Sequence, residues 1–140
     1  YGFTLIEVLA VLAIATLILS LALPMFGTAF TPAKLDATAI RLATLFETER
    51  YAAKRTGVST VIDLTEASRE IVARRTKSVL TLPIAVKLGI EAVSRCADGD
   101  SMVIFYPDGR ACAPLIHLIS PSRTVDIEIS TVTGVISIVR

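Results

Sequence analysis

Between Val8 and Phe26 only Thr16, Ser20 and Pro24 interrupt an apolar run, and the one charge at its head is Glu7. The next charged residue is Lys34. Such a segment must be covered by lipid, by its own domain or by other chains. As a helix rising ~1.5 Å per residue, Phe3 to Phe26 would extend roughly 36 Å, enough to cross the hydrocarbon core of a bilayer. A cleaved secretory signal would need a basic leader, a shorter apolar core and a small-residue cleavage site, and none is evident. A buried helix of a soluble domain rarely runs so far without polar positions. A membrane-spanning helix fits best. Glu7 is then the anomaly, because insertion scales put a charge at the centre of such a helix at roughly 2.5–3.5 kcal/mol. It must lie near an interface or be paired.

The apolar excess of this 140-residue chain, 53% hydrophobic, lies largely in that segment. Residues 1–33 hold one acid and no base, so the remainder carries 14 basic against 12 acidic side chains. This near balance gives no electrostatic case for a nucleic-acid binder. The organisation expected is a hydrophobic helical segment over 1–33 and a single small domain over 34–140.

Pro24, Gly27 and Pro32 are poor helix-interior residues and predict a kink or break there. Thr31-Pro32 reads as an N-cap and first helical position. From Lys34 to Thr56 the period is helical, with Leu35, Ala39, Leu42, Leu45, Phe46 and Ala53 mainly on one face. Gly57 is a natural stop. Thereafter the pattern turns strand-like: Val58–Leu64, Ile71–Arg75, Val79–Leu82 and Ile84–Leu88. Met102–Tyr106 and Leu115–Ile119 flank Pro107-Asp108-Gly109, predicting one hairpin, and Val125–Ile129 and Val135–Val139 flank Thr133-Gly134, predicting another. The fold class expected is α+β: a long, interrupted N-terminal helix whose C-terminal half covers an antiparallel β domain.

The head of the run, Gly2-Phe3-Thr4-Leu5-Ile6-Glu7, resembles the processing site of the type IV pilin and type II secretion pseudopilin superfamily. The resemblance implies that a prepilin peptidase cuts between Gly2 and Phe3, that Phe3 becomes N-methylated, and that Glu7 pairs with the N-terminal amine of a neighbouring subunit during assembly. Pro24 matches the family's helix-interrupting proline. Tyr1 departs from the charged or polar residue usual before the glycine. The C-terminal block "FYPDGRACAPLIHLIS…VDIEISTVTGVISIV" is similar to the GspH/FimT group of minor pseudopilins and pilins at Phe105, Pro107, Asp108, Gly109, Thr133 and Gly134. "IRLATLFETERYAAKRTGVSTVIDL" resembles that group's helix-to-strand junction. Between Thr65 and Ser101 the likeness is weak.

The resemblance implies a pilin-like fold and a minor pseudopilin at or near the tip of a type II secretion pseudopilus. Such a subunit supports protein export from a single-pass position in the bacterial inner membrane, with its C-terminal domain in the periplasm. The implied partners are the other major and minor pseudopilins, the prepilin peptidase, the inner membrane and the secretion assembly platform. The competing reading is a FimT-like type IV minor pilin in DNA uptake or pilus assembly. DNA-binding members carry an arginine-rich tail after the last strand, which "GVISIV" and Arg140 lack, so nucleic acid is not an expected partner. A third reading is a generic single-pass envelope protein.

No catalytic constellation is present in the sequence, no cofactor is expected and no enzymatic activity is assigned. His117, the one histidine, alternates inside an apolar strand and reads as a satisfied structural side chain. Asp98, Asp100 and Asp108 could offer oxygen ligands to calcium, which some major pseudopilins bind. The matching loop is not evident, and they read as turn residues rather than a metal site. Arg74, Arg75 and Lys77 read as a solvated strand edge. Cys96 and Cys112 permit a disulfide in an oxidising compartment, with two free thiols as the alternative.

Overall fold

A computed structural model describes residues 2, 4–26, 31–92 and 101–140, with the backbone alone at residues 19 and 21–26. The chain divides into two units, Tyr1–Phe30 and Thr31–Arg140.

The first unit is α1, Leu5–Phe26. Its first turn is closed by the Thr4 carbonyl, which accepts from the amides of Glu7 (3.0 Å) and Val8 (3.3 Å). Thr16 and Ser20 do not interrupt it, because their hydroxyls donate to the carbonyls of Ala13 and Leu17 one turn back. Pro24 lies inside the helix, which runs on to Phe26. Gly27, expected to contribute to a break, is outside the described residues. Among the described residues no helix is long and apolar enough to cross a membrane.

The second unit opens with α2, Pro32–Thr56. Thr31 is its N-cap, with extended backbone at φ −85° and ψ 151°, but its side chain makes no capping hydrogen bond. Pro32 follows, where its missing N–H costs nothing. Gly57 ends the helix at φ +69°, its amide donating to the Ala53 carbonyl at 3.0 Å. Both ends lie where the sequence signals put them.

Nine strands follow among the described residues: β1 Thr60–Leu64, β2 Glu70–Ala73, β3 Ser78–Thr81, β4 Lys87–Glu91, β5 Met102–Phe105, β6 Ala111–Cys112, β7 Leu115–Ile119, β8 Thr124–Ile129 and β9 Ile136–Val139. They form two antiparallel sheets, ordered β3-β2-β1-β5-β6 and β4-β7-β8-β9. The unit is therefore α+β, with α2 packed on strands of both sheets: β1 and β5 of the first, β8 and β9 of the second.

Two sequence expectations are corrected here. Met102–Tyr106 does not pair with Leu115–Ile119. The Pro107-Asp108-Gly109 turn instead joins β5 to the two-residue β6, with Phe105 opposite Ala111, and β7 belongs to the other sheet. The β5–β6 pairing ends at Ala113 and Pro114, and proline cannot donate to a continuing ladder. The expected strand Ile84–Leu88 is displaced to Lys87–Glu91, leaving Ile84 86% exposed in the preceding turn. The hairpin around Thr133-Gly134 forms as expected between β8 and β9.

The buried face of α2 carries Leu35, Thr38, Ala39, Leu42, Phe46, Glu49 and Ala53, whereas Leu45 is half-buried. Phe46 meets Phe105 of β5 with ring centroids 6.4 Å apart and planes at 54°, a favourable tilted aromatic contact. Glu49 is fully buried. Its Oε1 accepts from the Thr76 hydroxyl at 2.6 Å, while Oε2 has no hydrogen-bond partner among the described residues. The Glu49 backbone carbonyl also accepts from the buried Thr60 hydroxyl at 3.1 Å. Helix, β1 and the β2–β3 turn are thus tied through one residue.

The two sheets are joined where turns meet α2. The Ala111 amide donates to the Thr131 carbonyl at 3.1 Å, linking β6 to the segment after β8. Arg50 donates to the Thr133 carbonyl at 3.1 Å and to the Glu47 carboxylate at 3.0 Å. Gly134 sits against this contact at φ +65°: a Cβ there would lie 2.6 Å from the Gly109 carbonyl oxygen and 3.2 Å from Arg50 Nε. At Gly109, φ +94°, a Cβ would reach 3.2 Å from Lys54 Cε. The two glycine turns and the two basic side chains of α2 therefore occupy one tight junction.

Two stability outcomes follow from these contacts. Gly57→Ala meets no neighbour within 4 Å and loses only the left-handed backbone preference, about 1–2 kcal/mol. Gly134→Ala adds the clash with a backbone carbonyl, a further ~1–3 kcal/mol. Urea unfolding should rank Gly134→Ala below Gly57→Ala; equal midpoints would contradict the close junction. Thr76→Val should cost about 1.5–3 kcal/mol by removing the hydroxyl donor to buried Glu49, whereas Thr76→Ser should retain most of the stability. The same unfolding series checks this.

Candidate functional site

Of the residues expected to serve processing and assembly, Gly2 precedes α1 and Glu7 lies in its first turn. Gly2 is exposed, with nothing within 4 Å of where a Cβ would stand. Phe3, on the other side of the expected scissile bond, lies outside the described residues. Glu7 occupies the first turn, where a carboxylate complements the positive end of the helix dipole.

Around Glu7 the described side chains of the helix are apolar and exposed. Leu5 is 80% and Ile6 77% exposed, and Val8, Leu9, Val11 and Leu12 are likewise uncovered. Glu7, Val8, Val11 and Leu12 line a shallow groove. Among the described residues no cation pairs with Glu7. The geometry is a single carboxylate on a continuous apolar surface. A partner approaching here gains apolar burial, and a cation brought with it gains charge pairing as water is excluded.

The other singled-out residues have separate local roles. Arg74, at the start of the β2–β3 turn, is bound to Asp63 of β1, its Nε and one Nη each 2.7 Å from a carboxylate oxygen. Arg75 and Lys77 remain exposed in the β2–β3 turn. Asp108 folds back on Arg110, accepting from its amide at 3.0 Å and its Nε at 2.6 Å, and these bonds hold the carboxyl below its ordinary pKa. Asp98 and Asp100 are outside the described residues. Among the described residues no group of three histidine, cysteine or acidic side chains could hold a metal ion.

His117, on β7, is satisfied by two carboxylates. Nδ1 donates to Asp126 of β8 at 2.7 Å, and Nε2 stands 3.4 Å from Glu91 of β4. The bond to Asp126, reinforced by Glu91, raises the imidazole pKa above its ordinary 6.5 against the opposing effect of partial burial. The sequence placed His117 correctly in a strand, but its partners are 9 and 26 residues away in the chain and no motif announces them.

Comparison with protein-family models, with curated proteins and with solved structures finds no match for this chain.

Cys112, on β6, is disulfide-bonded, and Cys96 lies outside the described residues. Thiol labelling of the denatured, unreduced protein should therefore leave Cys112 unmodified, and labelling should appear only after reduction. Full labelling of both cysteines without reductant would show that the bond is absent.

Proposed function

We propose that this chain is a minor pseudopilin of the GspH type, a structural subunit at or near the tip of a type II secretion pseudopilus, with no reaction of its own. The observation that carries the reading is the head of α1. The prepilin-like Gly2-Phe3-Thr4-Leu5-Ile6-Glu7 opens a helix whose single carboxylate stands among uncovered apolar side chains. A separate α+β unit follows from Thr31, as a pilin-like organisation requires. The Phe3–Phe26 run would serve as the inner-membrane anchor, with the second unit in the periplasm. The engagement of Arg74 by Asp63 takes one cation out of the densest basic cluster, which supports the secretion reading over a nucleic-acid one.

In this reading the peptidase exposes a new amine at Phe3, and that amine docks beside Glu7 of a neighbour. An uncompensated carboxylate in an apolar assembly is strongly disfavoured, so the incoming cation selects the register in which it meets Glu7.

Glu7→Ala in the full chain should leave protein level and the α+β unit unchanged, since Glu7 lies outside that unit. Crosslinking to partner pseudopilins and secretion should both fall, with Glu7→Asp intermediate because it keeps the charge but shortens its reach. Intact-mass analysis should show the mature wild type beginning at N-methylated Phe3, and Gly2→Val should remain uncut. Wild-type assembly and secretion by Glu7→Ala would refute the pairing, and a mature form retaining Tyr1 and Gly2 would refute the processing.

A further inference from the structure

We propose that Asp126, His117 and Glu91 form a proton-operated clasp that fastens the edge strand β4 to the four-stranded sheet. The register sets the three elements side by side: Gly89 of β4 lies opposite His117, which lies opposite Asp126 of β8. Ile116, Leu118, Val125 and Ile127 alternate with this row and are fully buried, so His117 and Asp126 occupy the outer face of the sheet. Glu91, two residues beyond Gly89, is on the same face of β4.

Gly89 is part of the device. A glycine inside a strand weakens it and marks a close approach. Here a Cβ would lie 3.3 Å from both His117 Cβ and Ile119 Cδ1, and 3.8 Å from the imidazole Cδ2. The missing side chain lets the ring lean across β4 toward Glu91.

The switch lies in the donor count of imidazole. A neutral ring has one N–H and an imidazolium has two, whereas a carboxylate only accepts. At 2.7 Å the Asp126 bond retains the proton on Nδ1 in both states. Deprotonation therefore removes the Nε2 proton and turns a lone pair toward Glu91, 3.4 Å away. The contact to β8 survives and the contact to β4 is lost.

The remaining charges on this face do not duplicate the role. Lys87 lies on β4 and Glu128 on β8, and the β9 residues of that face, Ser137 and Val139, are uncharged. Other holds on β4 are its ladder with β7, the burial of Leu88 in the core and the Glu66 carboxylate, which accepts from the Ile90 amide at 2.8 Å. Because the folded-state pKa of His117 is raised, its contribution is complete below about pH 6.5 and is lost as pH rises through the folded value.

The test uses the full chain in a zwitterionic detergent. As the one histidine, His117 gives an unambiguous imidazole NMR titration. Hydrogen exchange over Lys87–Glu91 and Val125–Ile129, corrected for intrinsic rates, reads each strand separately. In the wild type His117 should titrate above pH 6.5, and protection of β4 should fall through that midpoint while β8 stays protected. Glu91→Gln, which can donate to neutral Nε2, should abolish the pH dependence at β4 and lower the titration midpoint. Asp126→Asn should lower the midpoint further. A wild-type midpoint at or below 6.5, equal loss of protection in both strands, or an unchanged pH response in Glu91→Gln would each overturn the clasp.

Discussion

The folded unit depends on one helix face serving two sheets. Leu35, Ala39, Leu42, Phe46 and Ala53 of α2 are buried together, and the helix reaches strands of both sheets. The five-stranded sheet lends β1 and β5 to this contact, the four-stranded sheet β8 and β9. A short chain gains its apolar burial here with a single helix, because that helix contributes to the packing of both sheets. The arrangement also explains the glycine turns at Gly109 and Gly134. Where the sheets converge on Arg50 and Lys54, there is no room for a Cβ without displacing a backbone carbonyl or a helix side chain.

Polar groups fix the geometry at points where apolar packing alone would leave freedom. Glu49 is fully buried and reaches the β2–β3 turn through Thr76, so α2 and that turn keep one relative register. Arg74 and Asp63 tie the start of the β2–β3 turn to β1 at an exposed position. Glu66 occupies the Ile90 amide of β4, which prevents that edge group from templating a foreign strand. Such contacts add little net stability when exposed, yet each excludes alternative pairings.

The N-terminal unit follows the opposite logic. Its apolar side chains from Leu5 to Ile18 are exposed, and its single carboxylate has no cation among the described residues. In the proposed filament, a helix with this surface would acquire its burial from other molecules. Under the proposed pseudopilin role these are lipid before assembly and neighbouring subunits after it, and the exposed Glu7 gives the assembly a charge-dependent register.

Local chemistry is written in the sequence wherever a residue acts on its immediate neighbours. Thr31-Pro32 and Gly57 bound α2, Thr133-Gly134 turns the last hairpin, and Glu7 stands alone at the head of an apolar helix. Glu49 was also within reach: it follows Leu42 and Phe46 at helical spacing on the buried face, and only its charge disguised it. Partner choice between strands was not legible. Both β6 and β7 follow the Pro107-Asp108-Gly109 turn, and alternation alone cannot tell which one pairs with β5. The tertiary structure decided that by ending the first sheet at Pro114 and placing β7 between β4 and β8. The row Asp126–His117–Glu91 arises the same way. Each residue is unremarkable in its own strand, and sheet register alone, set by the burial of the opposite face, brings the three together.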